Sequence, residues 1–140
     1  NGIKLPVLYD TGSPVSIISE KLYNSIKGHK PELIVHKGDI NAANGSALSV
    51  FGRAEFEFKT EVKYYKWQFI VANIEGNSCI IGFDFIKSQS QYLDFSNMTW
   101  GTKAGVVQLY KSDSKANRNL YFLAKCCVQL SPCGIQEKII

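Results

Sequence analysis

"LYDTGSPVSII", residues 8–18, interrupts an apolar run with a single carboxylate. Asp10 follows Ile3, Leu5, Val7 and Leu8 and precedes Thr11 and Gly12, after which apolar residues resume at Val15, Ile17 and Ile18. A surface turn, with Asp capping its own backbone and Gly at positive φ, would account for the triplet alone. It does not account for the flanks, because a surface turn needs neither Leu8 before it nor Ile17 and Ile18 after it. Such a carboxylate is costly to bury unless it is paired, hydrogen-bonded or used. A desolvated Asp in a cleft is a candidate acid or base.

The neighbours of Asp10 suit that task. Thr11 offers a hydroxyl that can lock the loop. Gly12 lets a peptide backbone approach and can turn its own N–H toward the carboxylate. Ser13 is expected to donate a further hydrogen bond to Asp10, which would favour the ionised form and lower its pKa.

The rest of the chain reads as one β-rich body with an appendage. Its 140 residues suit one ordinary domain, or one small domain with a tail, and 45% hydrophobic content supports a packed core. No apolar run reaches the length of a membrane span and no segment reads as a signal peptide. The opening Asn1-Gly2 is a hairpin signal with no strand before it, so residues 3–9 are expected to lack an upstream partner, as in a fragment. Ser19 is placed to cap a short helix carrying Leu22, Tyr23 and Ile26, with Gly28 ending it. Asn44-Gly45 predicts a projecting hairpin with small residues at its tip. From Ala54 the pattern alternates, with Ala54, Phe56 and Phe58 on one face and Glu55, Glu57 and Lys59 on the other. A turn over residues 60–63 leads to a partner strand in "YYKWQFIVANI". "SCIIGFDFIKSQ" predicts a short buried strand, a glycine and one or two helical turns, and "YLDF" and "MTW" follow as short strands.

Charge divides the chain near residue 101. Residues 1–101 carry ten basic and ten acidic residues, whereas 102–140 carry six basic against two acidic, the whole net charge of +4. The expected division is therefore a body, 1–101, and a basic extension or linker, 102–140, with strand content in "VVQLY" and "LYFLAKCCVQL". Nucleic acid is not an expected partner except through that basic tail. The four cysteines, Cys79, Cys126, Cys127 and Cys133, form no Cys-x-x-Cys pair, and His29 and His36 lie far from them. Zinc-ligand spacing is absent, and a reducing compartment fits best. There is no G-x-S-x-G, H-E-x-x-H or P-loop.

Taken together, "DTGSPVSIIS", "AANGSALSV", "CIIGFDF" and "LDF" resemble a retropepsin, the aspartic protease of retroviruses and long-terminal-repeat retrotransposons. The resemblance covers residues 1 to about 100 and is nearer the Ty3/gypsy-type retrotransposons than the retroviruses. After Gly82 this chain has Phe83 and Asp84 where retroviral enzymes usually have an arginine first. Pro14 stands where many of them carry an acidic residue that bonds the substrate backbone. "CCVQLSPCGIQEKII" resembles the connector toward a reverse transcriptase in such Pol polyproteins.

The resemblance implies a closed β-barrel with a flap hairpin and one or two short helices. Asp10 would be catalytic, Thr11 would grip its counterpart across a dimer interface, and Gly12 and Ser13 would support the loop. Val15, Ile17 and Ile80 would line substrate pockets. Ala43, Asn44, Gly45 and Ser46 would form the flap over an extended peptide, and Ile81 and Gly82 would pack beneath the active-site loop, with Asp84 opening the short helix. Aspartic proteases use two carboxylates that share a proton. No other aspartate here (Asp39, Asp84, Asp94, Asp113) is followed by Thr/Ser-Gly, so the second carboxylate must be Asp10 of another copy. The implied activity is a homodimeric endopeptidase that cleaves a polyprotein at apolar junctions without metal or organic cofactor, inside the cell or a virus-like particle. A different class stands beside it: the same fold kept as a silent dimerisation or binding module. A host-domesticated protease is a variant of the first reading.

Overall fold

Ile3–Asp10 form the first strand, β1, and Leu5, Val7, Leu8 and Tyr9 in it are buried. The computed structural model describes residues 3–41, 45–111 and 123–132. A short strand, β2 (Ile17–Ser19), runs directly into helix α1 (Glu20–Ser25). Ser19 caps it, its hydroxyl oxygen accepting the Leu22 N–H at 3.0 Å. The helix stops short of Gly28: Ile26 is its C-cap, and Gly28 turns the chain further on at φ +82°.

The alternating segment forms β3 (Val50–Lys59), and "YYKWQFIVA" forms its antiparallel partner, β4 (Tyr64–Ala72). Ala54, Phe56 and Phe58 are at most 1% exposed, which assigns that face to the core. At the turn, Thr60 N–H donates to the Lys63 carbonyl at 3.0 Å, and the Thr60 hydroxyl accepts from Val62 and Lys63 N–H. Gly52, at φ +150°, sits where the β3–β4 register shifts, and a Cβ there would lie 2.8 Å from the Ile34 carbonyl oxygen. Only glycine fits that approach without strain.

The chain continues through β5 (Cys79–Ile81), helix α2 (Phe83–Gln89), β6 (Ser90–Asp94), β7 (Thr99–Thr102), β8 (Gly105–Gln108), β9 (Tyr110–Lys111) and β10 (Leu123–Pro132). β5 lies parallel to β1, through Leu8↔Ile80 and Tyr9↔Ile81, and antiparallel to β2. The fold is mainly β, with short helices, as the sequence predicts. The single closed barrel implied by the resemblance is corrected in extent: the strands fall into two sheets, a seven-stranded β1-β5-β2-β4-β3-β10-β9, in which β1 also pairs with β10, and a separate three-stranded β6-β7-β8. The physical reason is local. Helix α2 carries the chain away after β5, and the next strands satisfy their backbone groups as a meander of their own.

Two further differences concern the chain's ends. The edge of β1, for which Asn1-Gly2 predicts an upstream partner, is paired by β10 from Ile3↔Leu130 to Asp10↔Leu123. The division expected at residue 101 falls inside β7, and Val107 and Leu109, 2% and 1% exposed, share the core of β1. Charge changes at that point, but packing does not.

The core is aromatic. Phe85 on α2 lies 5.0 Å from the ring centroids of Phe58, Tyr65 and Trp67 and 6.0 Å from that of Trp100, all in edge-on geometry. Each such pair adds about 0.5–1.5 kcal/mol beyond area burial. Phe85 thereby fixes α2 against both sheets' hydrophobic faces, and α2 in turn positions the segment before it. Among the described residues no helix is long and apolar enough to cross a membrane.

Candidate active site

Asp10 is the last residue of β1, where the strand pairing with β5 has just ended. The chain turns sharply: Ser13 N–H donates to the Asp10 carbonyl at 3.2 Å, and Gly12 N–H donates to Asp10 Oδ1 at 2.8 Å. The Gly12 contact is the one that residue type predicts. Ser13 meets the expectation only through its backbone N–H, because its hydroxyl donates to the Val15 carbonyl at 2.7 Å and so braces the loop. Burial pushes the Asp10 carboxyl above its ordinary pKa, against the opposing pull of the Gly12 and Ser13 backbone N–H groups. The expected lowering is thus corrected: desolvation outweighs hydrogen bonding at this half-buried group. Thr11 is also half-buried.

The segment after β5 clamps this loop from below. Phe83 N–H donates to the Ser13 carbonyl at 2.7 Å. Gly82 N–H donates to Ser16 Oγ at 2.9 Å, and Ser16 Oγ donates to Asp84 Oδ1 at 2.8 Å. Gly82 is glycine for a steric reason, since a Cβ there would fall on the Val15 carbonyl. Asp84 opens α2, receives Phe85 N–H on Oδ1 at 2.8 Å and receives Trp67 Nε1–H on Oδ2 at 3.0 Å. Gly82 therefore packs against the Asp10 loop, and Asp84, in the first turn of α2, meets that loop through Ser16. Ile81 lies deeper, 1% exposed in the main core.

Val15, Ile17 and Ile80 come together in a second, smaller apolar cluster with Ile70 and Ala72. Ile17 is buried, whereas Val15 and Ile80 are half-buried and remain partly open. Ile40, Leu48, Val50 and Ile74 pack against the same cluster. Ile40 and Leu48 flank the expected flap tip, where the Leu48 N–H donates to the Ile40 carbonyl at 2.8 Å and Asn41 bridges to Ala47. The arms of that hairpin thus return to the active-site side. Gly45 has φ +89° and is exposed, as is Ser46, while Ala43 and Asn44 lie outside the described residues.

Other carboxylates do different work. Asp94 caps its own turn through Ser96 and Asn97, and hydrogen bonds from Asn97 hold its carboxyl below the ordinary range. Asp39 is exposed. Among the described residues no group of three or more His, Cys, Asp or Glu is placed to hold a metal ion.

Sequence reasoning misses Ser16 and Trp67. Ser16 is 0% exposed, a buried hydroxyl that needs a partner, but nothing nearby in sequence supplies one. Trp67 reads as sheet packing, and it does pack edge-on against Phe85. The available signal is parity: Tyr65, Trp67 and Phe69 share the inward face, and an inward indole N–H needs an acceptor. No protein-family model matches the chain, and no solved structure matches it.

Proposed function

We propose that this chain is a retropepsin-type aspartic endopeptidase, active as a symmetric homodimer, with one Asp10 from each copy. The observation that carries the reading is the setting of Asp10. A half-buried carboxyl with a raised pKa ends a core strand and is held by the Gly12 N–H at 2.8 Å. Beneath it lies the clamp of Gly82, Phe83 and Asp84, and beside it an apolar cluster that includes the hairpin arms.

The chemistry needs two such groups, because one carboxyl cannot serve at once as base and acid. The ionised Asp10 takes a proton from water, and the resulting hydroxide attacks the scissile carbonyl carbon. The protonated Asp10 of the second copy donates to the carbonyl oxygen. The tetrahedral diol then collapses: the amide nitrogen takes the proton that the first Asp10 drew from water, a diol O–H returns its proton to the second Asp10, and the C–N bond breaks to give a carboxylic acid and an amine. The two carboxyls titrate as one dyad. Burial that disfavours charge suits a pair that must hold one proton between them. An extended peptide would pair its backbone with the hairpin and the Gly12 loop, as in strand addition. Val15 and Ile80 favour apolar side chains beside the cut, and the natural substrate would be the polyprotein that carries the enzyme. No metal or organic cofactor takes part.

The test is cleavage of an apolar-junction peptide by the wild-type chain and by Asp10→Asn at several protein concentrations. The expected result is specific activity that rises with dimer fraction and is lost in Asp10→Asn. No cleavage by a chain shown to be dimeric would overturn the protease reading and favour a binding module.

A further inference from the structure

The carboxylate of Asp84 joins three segments distant in sequence. It accepts from Ser16 Oγ, from the backbone of Phe85 and, across 17 positions, from the indole of Trp67. Ser16 passes the connection on by accepting the Gly82 N–H at 2.9 Å. The neighbouring Phe83 N–H holds the Ser13 carbonyl at 2.7 Å, and Ser13 N–H closes the turn on the Asp10 carbonyl at 3.2 Å. That turn sets the Gly12 N–H on Asp10 Oδ1.

We infer that Trp67 is a positioning residue for the Asp10 loop, acting through Asp84 and Ser16. Packing alone does not account for its place. An aromatic ring without a donor would meet Phe85 equally well, yet the indole N–H is spent on the Asp84 oxygen that neither Ser16 nor Phe85 uses. A half-buried carboxylate with one oxygen unpartnered would turn toward water and loosen its other contacts. The indole therefore fixes the rotation of the Asp84 carboxylate. Fixed rotation keeps Oδ1 aimed at Ser16, and Ser16 keeps Gly82 and Phe83 seated under the loop. Groups connected in this way behave as a unit, so removing one member shifts the others.

The coupling to turnover rests on the protease reading, and the coupling to the loop does not. The experiment uses the full chain with Trp67→Phe, Asp84→Asn and the two combined. Trp67→Phe keeps a ring against Phe85 and deletes the donor. Asp84→Asn keeps one acceptor oxygen but sets an amide donor against the indole N–H, a conflict that the second substitution removes. Two readouts are taken: the Gly12 amide proton shift, which follows its hydrogen bond to Asp10, and kcat and KM on the apolar-junction peptide, both per folded molecule. Trp67→Phe is expected to move the Gly12 amide upfield and to lower kcat by about tenfold with KM little changed. The double variant is expected to be less impaired than the product of the single effects. An unmoved Gly12 amide in Trp67→Phe, or strictly additive effects, would overturn the inference and leave Trp67 as packing. If the wild-type chain cleaves nothing, the protease reading fails, and the Gly12 amide alone still decides the coupling.

Discussion

Gly82 lies so close against Val15 that a single added carbon at position 82 would occupy the space of the Val15 carbonyl. The contact is backbone to backbone, between the segment that follows β5 and the loop that carries Asp10. Neither side can give way by changing a rotamer. The Ser13 carbonyl, 2.8 Å from the same added carbon, blocks the alternative direction.

Gly82→Ala is therefore expected to destabilise the fold by about 1–3 kcal/mol, the range for forcing extra volume into a packed site. Urea denaturation of the two proteins measures it. A loss under a few tenths of a kcal/mol would mean that the clamp is looser than the described geometry.

Asp10 makes stability depend on pH with a sign that can be worked out. Burial raises its folded-state pKa above the ordinary value of 3.8. A raised carboxyl contributes stability that is fully present below the unfolded-state pKa and is lost as pH rises through the folded-state pKa. Asn cannot ionise, and its carbonyl oxygen can still accept the Gly12 N–H. Asp10→Asn is thus expected to match the wild type in acid and to become the more stable of the two toward neutral pH. Urea midpoints across a pH series check this at fixed oligomeric state. A stability difference that narrows with rising pH would contradict it.

Leu109 decides how far the body extends. It is 1% exposed, and its N–H donates to the Met98 carbonyl at 2.8 Å. Leu109→Ala is expected to cost about 2–5 kcal/mol, as for other leucines deleted from a core. Were the chain beyond residue 101 a detached linker, the same substitution would cost close to nothing. Thermal or urea unfolding separates the two.

Features specified within a few neighbouring residues were legible in the sequence. The alternation from Ala54 to Lys59 set the faces of β3, because side chains of a strand point alternately to its two sides. Ser19 could be read as a cap because its partner, Leu22, lies one helical turn away. The Gly12 N–H on Asp10 was legible for the same reason, being two positions distant. Ser13 is legible only in part: its backbone N–H pulls on the Asp10 carboxyl, but loop geometry alone directs its hydroxyl to Val15.

By itself the sequence determined the strand faces, the cap, the tight turn at Asp10 and the presence of a second glycine-centred motif. Only the tertiary structure decided what meets what. Gly82 and Ser16 are separated by 66 positions, and no local rule specifies their hydrogen bond. The division into two sheets, the place of Leu109 in the core and the indole of Trp67 on Asp84 belong to the same group. The physical reason is one of range. Turns and caps are settled by backbone dihedrals and donors a few bonds apart. The raised pKa of Asp10 is set by the solvent excluded around it, and that exclusion exists only once distant strands have packed.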